Sequence, residues 1–241
     1  METKEEHWER KAEITKLPDI EKYYHRNYAG VSVLKSFDEL LPDLRNKSIL
    51  DIGCGIGMYF PFFHQKGARE LVGVDVGENL LDMARKLCPY AKTVLASADT
   101  LPFSNECFDV ILSMGLLEHF SNPQSVLEEW TRCLKHGGIL IVETPNMRNP
   151  IFARHYHHNK EQLVWQHEWD TDDLINVIQK NSNLRFKKLT SSIVFPYLAS
   201  RFIDNRITRI FRLPVFVANA ERIGLLKKVG HLMFVSALKI G

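Results

Sequence analysis

The sequence predicts an α/β protein with a doubly wound, mostly parallel sheet of seven strands and helices on both faces. Three observations predict this fold class. Strand and helix patterns alternate between residues 48 and 143 with short connections. The strands are nearly continuous apolar runs, as expected for strands that are covered on both faces. The first strand leads directly into a glycine cluster, Gly53-Cys-Gly-Ile-Gly57, and then into a helix.

The spacing of apolar residues assigns the elements in chain order. A helix is predicted over 31–41, where Val33, Leu34 and Phe37 fall at helical spacing. Gly137 and Gly138 are expected to stop the helix that precedes the fifth strand. Residues 146–170 are rich in histidine and aromatic residues without a clear period, which predicts a long irregular insert. The predicted strands are 48–52, 71–75, 93–97, 108–113, 139–143, 185–194 and 231–239, and the other predicted helices are 58–66, 79–87, 123–134, 171–179, 200–212 and 215–228.

The composition bounds the class of protein. The chain has 241 residues, of which 45% are hydrophobic and 25% are charged, so disordered, collagen-like and coiled-coil classes are excluded. The charged N-terminus predicts no signal peptide, and no apolar run is long enough for a membrane span. The cysteines form no Cys-x-x-Cys pair, which favours reduced thiols in a cytoplasmic protein. They are Cys54, Cys88, Cys107 and Cys133.

The net charge of +2 conceals an uneven distribution. Residues 185–241 contain 11 basic and two acidic residues, which gives +9. The other 20 basic and 27 acidic residues give −7 for residues 1–184. The basic stretch includes a predicted amphipathic helix, which indicates a surface for an anionic partner, a lid or a dimer face.

The glycine cluster indicates a ligand site. Glycines let a ligand approach the backbone, and the N-terminus of the following helix offers free N–H groups. A dinucleotide fingerprint, Gly-x-Gly-x-x-Gly, would place a small residue at position 58, where this chain has methionine. The cluster therefore favours a ligand that lacks a pyrophosphate.

Several segments together resemble the class I S-adenosylmethionine-dependent methyltransferase family over about residues 45–180. An acid followed by Gly-x-Gly-x-Gly, at Asp51–Gly57, matches the first motif of that family. Glu118-His119 is also similar to the Glu-His pair of ubiquinone- and menaquinone-biosynthesis methyltransferases. The other matching segments, in the family's order, are Asp75, 98–103, 108–111, 117–119, 134–138 and 143–146.

The resemblance implies a Rossmann-like methyltransferase fold whose last strand is antiparallel. It also implies a single domain over residues 1–241, with a helical cap at 1–45 and a cofactor-binding core at 46–145. Residues 146–170 and 196–228 would be inserts on the side of the methyl acceptor. The implied cofactor is S-adenosyl-L-methionine, and the implied product is S-adenosyl-L-homocysteine.

The resemblance assigns roles to the acidic residues at the strand ends. Asp75 would hold the ribose hydroxyls, since one carboxylate can accept two hydrogen bonds. Asp99 would meet the adenine amino group, and Asp51 would orient the glycine turn. A turn-capping role for Asp75 and a turn-forming role for Asp99 are the structural alternatives. The expected cofactor-binding residues are Asp51, Gly53, Cys54, Gly55, Gly57, Asp75, Val76, Ala98, Asp99, Thr100, Met114 and Tyr28.

His119 is the candidate catalytic residue. It follows the fourth strand at the carboxyl edge of the sheet, where ligands bind in such folds. A base is needed only when the methyl acceptor arrives protonated. A packing or helix-start histidine is the alternative. No metal is expected, because position 115, which is glutamate in some metal-binding relatives, is glycine here.

The leading interpretation of the histidine-rich segment is a loop of solvated histidines. A lining of the acceptor pocket and a metal site are the alternatives. The resemblance implies the pocket, because in that family the region after the fifth strand commonly shapes it. The expected substrate-binding residues are His155, His158, His167 and Trp169.

Three functions remain open from the sequence. The leading one is methyl transfer to a small-molecule acceptor, a lipid-linked acceptor included. The second is a nucleic-acid methyltransferase that uses the basic stretch to follow phosphates, which is disfavoured because the chain shows no target-base motif. The third is a non-catalytic protein of the same fold that binds a membrane surface or a partner through the basic helix at 201–212. A cytoplasmic location is expected, with peripheral membrane contact open and the oligomeric state undetermined.

Overall fold

A computed structural model describes residues 28–159, 166–192 and 232–240. The chain alternates between strands and helices, as the apolar pattern predicts. The first half contains α1 (Tyr28–Leu40), β1 (Ser48–Ile52), α2 (Phe60–Gln65), β2 (Glu70–Asp75), α3 (Glu78–Leu87), β3 (Lys92–Leu95) and β4 (Phe108–Met114). The second half contains a 3₁₀ turn (Leu117–His119), α4 (Pro123–Cys133), β5 (Leu134–Pro145), α5 (Pro150–Asn159), α6 (Thr171–Gln179), β6 (Leu184–Ser192) and β7 (Leu232–Lys239).

The seven strands form one sheet in the order β3-β2-β1-β4-β5-β7-β6. The five strands from β3 to β5 are parallel to their neighbours. β7 runs antiparallel to both β5 and β6. The predicted fold class is confirmed, including the antiparallel last strand.

Two apolar cores cover the two faces of this sheet. On one face, the fully buried Trp130 of α4 packs with α6 and with inward residues of β1, β4 and β5. On the other face, Phe37 of α1 meets Phe63 of α2 and Phe234 of β7. Strands that are buried on both faces explain the near-continuous apolar runs in the sequence.

The prediction of an irregular insert at 146–170 is wrong for its middle part. Residues Pro150–Asn159 form α5, with proline at its first position. Proline is compatible there because the first helical N–H groups have no partner within the helix. Among the side chains of this helix that the structure describes, Tyr156 is buried, and the polar and histidine positions around it hide the helical period of the sequence.

The prediction that Gly137 and Gly138 stop α4 is also wrong. The helix ends at Cys133, and β5 begins at Leu134 and continues through both glycines. The pairing of β4 with β5 shifts between Phe108 and Val110, so β5 bulges there. Gly137 has φ +73°, a conformation that glycine adopts readily. The glycines therefore absorb the bulge within the strand.

Several predictions lie outside the described residues. They are the helices at 200–212 and 215–228, the insert at 196–228 and most of the 1–45 cap. None of the described helices has the length and apolarity needed to cross a membrane.

Asp109 ties three parallel strands together at the edge opposite their carboxyl ends. Its Oδ2 accepts hydrogen bonds from Ser48 N (3.0 Å), Ser48 Oγ (2.8 Å) and Lys135 Nζ (2.8 Å). Burial alone would raise the pKa of Asp109, but the bonds from Lys135 and Ser48 outweigh it and hold that pKa well below its usual value. The ionised form therefore stabilises the junction of β1, β4 and β5.

Replacing Asp109 with asparagine is expected to lower the free energy of unfolding at pH 7 by about 1 to 2 kcal/mol. Because the folded-state pKa is depressed, this contribution is present above the ordinary Asp pKa of about 4 and disappears as the pH falls through the folded value. Urea unfolding at a series of pH values measures it. The exposed Asp38→Asn is the matched control, and a constant difference between wild type and Asp109→Asn down to strongly acid pH would contradict the explanation.

Candidate functional site

A cavity of about 340 Å³ lies at the carboxyl ends of β1, β2 and β4. The sheet order reverses between β1 and β4, and ligands in open α/β sheets bind at such a point. The volume is in the range of small-molecule sites. Its described lining comprises Gly53, Gly55, Val74, Asp75, Val76, Leu80, Ala96, Ser97, Ala98, Met114, Gly115, Leu116, His119 and Phe120.

The glycine turn after β1 forms one wall of the cavity. Gly53 N and Cys54 N both donate to Val74 O, at 2.8 and 3.0 Å, so the turn is fixed to β2. Gly53 has φ +73°, and a Cβ there would lie 2.8 Å from Leu116 Cδ2. Leu116 belongs to the loop after β4, so glycine at position 53 lets two loops close around the cavity.

Asp75 ends β2 and joins the glycine turn to the start of α3. Its Oδ2 accepts a hydrogen bond from Gly55 N at 2.8 Å, and its Oδ1 accepts one from Gly77 N at 2.9 Å. Burial raises the pKa of Asp75, and the backbone N–H donors partly offset this effect. Each carboxylate oxygen keeps a second lone pair, so the group can still accept hydrogen bonds from a ligand in the cavity.

Asp51 and Cys54 lie behind this wall and do not contribute to the described lining. Asp51 is 2% exposed, and its Oδ2 has no hydrogen-bond partner. Burial, together with the charge of Asp75, raises the pKa of Asp51 to about 7. The Cys54 thiol packs toward Gly73, where a Cβ would lie 2.6 Å from its sulfur. Burial raises the pKa of Cys54 well above its usual value, so the thiol stays neutral.

The loop after β4 forms the opposite wall. Met114 ends the strand, and Gly115 adopts φ +63°. The 3₁₀ turn that follows is closed by a hydrogen bond from His119 N to Leu116 O at 3.0 Å. This turn brings the His119 side chain to the cavity, although only 8% of its surface is exposed.

The segment after β3 forms the third wall and contains two of the predicted adenine-side residues. Ala98 lines the cavity, and its carbonyl accepts a hydrogen bond from Trp130 Nε1 at 2.8 Å. Asp99 and Thr100 come next, but their side chains are exposed and do not belong to the described lining. The backbone at Ala98 is therefore fixed by α4, while Asp99 extends to solvent.

The histidine-rich segment lies behind the His119 turn. His167 N donates to Glu118 O at 2.8 Å, and His167 Nε2 lies 3.0 Å from Phe120 O. The carbonyl can only accept, so Nε2 carries the proton. The His167 ring stacks on Trp169, with centroids 4.7 Å apart. These two residues support the turn from outside the cavity, whereas His158 is exposed on α5.

The surroundings of the cavity are acidic. Asp75 is the charged residue of the described lining, which contains no lysine or arginine. Asp51, Glu118 and Glu143 are buried close behind it. This arrangement favours a ligand that carries positive charge. Within residues 28–159, 166–192 and 232–240, no group of three or more His, Cys, Asp or Glu side chains is placed to hold a metal ion.

The structure brings together part of the predicted site. Gly53, Gly55, Asp75, Val76, Ala98, Met114 and His119 line the cavity. Asp51, Cys54 and Gly57 lie in or under the glycine turn, and Asp99, Thr100, His158, His167 and Trp169 lie outside the described lining. The side chains of Tyr28 and His155 lie outside the described residues.

Sequence reasoning missed several lining residues, notably Leu80, Ala96, Ser97, Leu116 and Phe120. Their small or apolar side chains carry no chemical signature. Their positions do carry a signal, because each follows a strand end or lies in the first turn of α3. Gly115 was missed as a lining residue, although the sequence analysis singled out its position.

Comparisons with known proteins agree with this geometry. Residues 50–142 match the family model described as a methyltransferase domain. The chain is 32% identical over 151 residues to the ubiquinone biosynthesis O-methyltransferase of Azoarcus sp. strain BH72, covering 56% of this chain and 63% of that protein. It is 38% identical over 111 residues to the tRNA U34 carboxymethyltransferase of Marinobacter nauticus, covering 43% of this chain and 33% of that protein. The chain thus spans less than two thirds of the length of these curated relatives.

Solved structures share the fold at low sequence identity. A methyltransferase solved in complex with the Trm112 activator of Haloferax volcanii, and described as putative, superposes with a TM-score of 0.69 and 17% identity, over 93% of this chain and 94% of that one. An S-adenosylmethionine-dependent methyltransferase from Mesorhizobium loti gives a TM-score of 0.66 and 17% identity, over 88% of this chain and 100% of that one.

The sheet order, the cavity at the reversal of that order and the glycine turn agree with the matched domain at residues 50–142. Residues 50–142 are therefore a methyltransferase domain, and the chain is similar to S-adenosylmethionine-dependent methyltransferases in sequence and in fold.

Proposed function

We propose that the chain transfers the sulfonium methyl group of S-adenosyl-L-methionine to a small-molecule acceptor. The observation that carries this proposal is the cavity between the glycine turn and the His119 turn, with Asp75 at its end and no basic side chain in its described lining. A sulfonium cation suits such a site. The cofactor supplies an activated methyl group when bound, so the protein's part is to position the acceptor and exclude water.

Each wall has a part in this proposal. Asp75 accepts hydrogen bonds from the two ribose hydroxyls with its remaining lone pairs, and Gly53 and Gly55 let the methionine part of the cofactor approach the backbone. The segment of Ser97 and Ala98 faces the adenine ring. Asp99 has the least support of the proposed contacts, because its side chain is exposed outside the lining.

The three-part division of the domain, with a cap at 1–45, a core at 46–145 and acceptor-side inserts at 146–170 and 196–228, is part of the same proposal. Strands β1 to β5 and the described lining of the cavity belong to the core, whereas β6 and β7 lie beyond it in the chain. The inserts would supply the acceptor contacts that the described lining lacks.

His119 is the proposed catalytic base for an acceptor that arrives protonated. It lines the cavity on a turn that is supported from behind by His167. Replacing His119 with asparagine is expected to lower kcat by about 100-fold or more for such an acceptor, while the affinity for S-adenosyl-L-homocysteine changes little. Single-turnover kinetics and calorimetry measure the two effects. Equal losses in both would indicate that His119 only packs the turn.

The decisive experiment is a methyl-transfer screen with labelled cofactor against metabolite pools. Calorimetry with S-adenosyl-L-homocysteine tests the cofactor separately, and failure to bind at millimolar concentration would overturn the proposal. Transfer to total tRNA rather than to metabolites would instead favour a nucleic-acid acceptor. One of the relatives is named as a carboxymethyltransferase of tRNA, which is why this arm is included.

A further inference from the structure

Two buried carboxyl groups stand next to the cavity and have no part in the functions described above. Glu118 belongs to the 3₁₀ turn and is 2% exposed, and Glu143 belongs to β5 and is 5% exposed. Glu143 pairs with Met114 across the sheet, and its carbonyl accepts a hydrogen bond from Gly115 N at 3.0 Å. The two side chains therefore come from different elements and meet at Gly115.

Both carboxyl groups point to the wall that Gly115 forms. A Cβ at Gly115 would lie 3.8 Å from Glu118 Oε1 and 3.9 Å from Glu143 Oε2, and no other atom would be within 4 Å of it. Gly115 itself lines the cavity. Glu118 and Glu143 do not themselves belong to the described lining, and glycine at position 115 adds no side chain between them and it.

Neither carboxyl group is fully satisfied by the protein. Glu118 Oε2 and Glu143 Oε1 are buried and have no hydrogen-bond partner among the residues that the structure describes. Such atoms destabilise the fold unless a ligand completes them. Burial raises the pKa of Glu118 to about 8, and burial together with the Glu118 charge raises that of Glu143 well above its usual value. Both shifts come mainly from the removal of the carboxyl groups from water, and a cation beside them would oppose these shifts.

We propose that Glu118 and Glu143 form a binding subsite for an organic ammonium group and that the methyl acceptor is an amine. The ammonium group offers three N–H donors, which matches two carboxyl groups that converge on one point. It would enter the cavity beside Gly115, next to the turn that carries His119. This inference rests on the proposed function, because it names the class of acceptor for the same site.

The pair suits an amine better than a phenol or an alcohol. A cation lowers the raised pKa values of the pair and binds both groups in their ionised form, whereas a neutral hydroxyl donates one hydrogen bond and supplies no compensating charge. At Gly115 the cation would face Glu118 Oε1 and Glu143 Oε2, and it would compensate the charge of each whole carboxylate, whose other oxygen is the unpartnered one. His119, on the same turn, can take the proton that the nitrogen must lose before its lone pair accepts a methyl group.

The test compares the binding of two probes that have nearly the same shape but differ in charge. Benzylamine is charged at neutral pH, and benzyl alcohol is not. The binding of each probe to the full chain is measured by calorimetry, with and without saturating S-adenosyl-L-homocysteine. Benzylamine is expected to bind about tenfold or more tightly than benzyl alcohol, because the alcohol cannot form a charge-assisted hydrogen bond with the pair. The double variant E118Q/E143Q should lose this preference while its affinity for S-adenosyl-L-homocysteine stays near the wild-type value.

The single variants Glu118→Gln and Glu143→Gln each keep one carboxyl group and should show an intermediate preference, which keeps the test decisive if the double variant fails to fold. The exposed Glu128→Gln is the control. Equal binding of both probes to the wild type, or an amine preference that survives in the variants, would overturn the proposal. Failure of S-adenosyl-L-homocysteine to bind would overturn the proposed function instead, because the comparison without it still decides the role of the pair.

Discussion

Replacing Asp75 with alanine is expected to weaken the binding of S-adenosyl-L-homocysteine by about 2 kcal/mol, or about 30-fold. The carboxylate holds Gly55 N and Gly77 N at 2.8 and 2.9 Å and faces the cavity. Its loss removes the proposed ribose acceptor and also releases the two backbone turns that shape the site. Calorimetry of the variant at a single pH and salt concentration measures the change.

Two matched variants separate these causes. Asp75→Asn keeps the shape of the side chain and one acceptor oxygen, so it should lose less affinity than Asp75→Ala. Asp82→Ala removes an exposed carboxylate of α3 that pairs with Arg85, and it should bind like the wild type. Wild-type affinity in Asp75→Ala, with the variant shown to be folded by its thermal transition, would remove Asp75 from the site.

Replacing Gly57 with alanine should lower the free energy of unfolding by about 3 kcal/mol or more, through two effects that add. Gly57 has φ +72°, which strains any residue with a side chain. A Cβ there would also lie 2.6 Å from Phe60 Cδ2. Phe60 cannot move away easily, because a Cβ at Gly73 would lie equally close to the far end of its ring. Urea unfolding measures the loss.

Gly137 provides the control for this substitution. Its φ of +73° matches that of Gly57, but nothing lies within 4 Å of the Cβ that alanine would add. Gly137→Ala should therefore cost only the backbone strain, about 1 to 2 kcal/mol. The difference between the two variants isolates the contact with Phe60. If both variants lose the same free energy, the packing explanation is wrong and the backbone conformation accounts for the whole effect.

The fold was largely predictable because it follows from local patterns. Buried parallel strands such as Ser48–Ile52 read as apolar runs, and α6 begins at the capping residue Asp170, whose carboxylate accepts from the backbone N–H groups of Asp172 and Asp173. The errors in the predicted elements arose where one residue type occurs in several kinds of local structure. Gly137 stands in a strand bulge rather than at a helix end, and the histidines of α5 mask a helix that begins at Pro150.

The candidate site was predictable only where a residue type has a chemical signature. Asp75 and the glycines of the turn could be found, because acids and glycines after strands have few structural uses. Glu143 could not be singled out, since its meeting with Glu118 at Gly115 depends on the pairing of β4 with β5. Asp99 was predicted from its position in a motif, but its side chain is exposed outside the described lining. The position in the motif does not determine whether the side chain faces the cavity or solvent.

The position of β7 has a consequence for the synthesis of the chain. β7 lies between β5 and β6, so β6 has no neighbour in the sheet until β7 is in place. Residues 184–192 precede 232–239 in the chain and therefore leave the ribosome first. When 232–239 follow, they must insert between β6 and β5. This contact spans a long sequence separation, and such contacts form slowly. The five-strand parallel part can assemble first, and the outer edge of the sheet closes only when its last strand arrives.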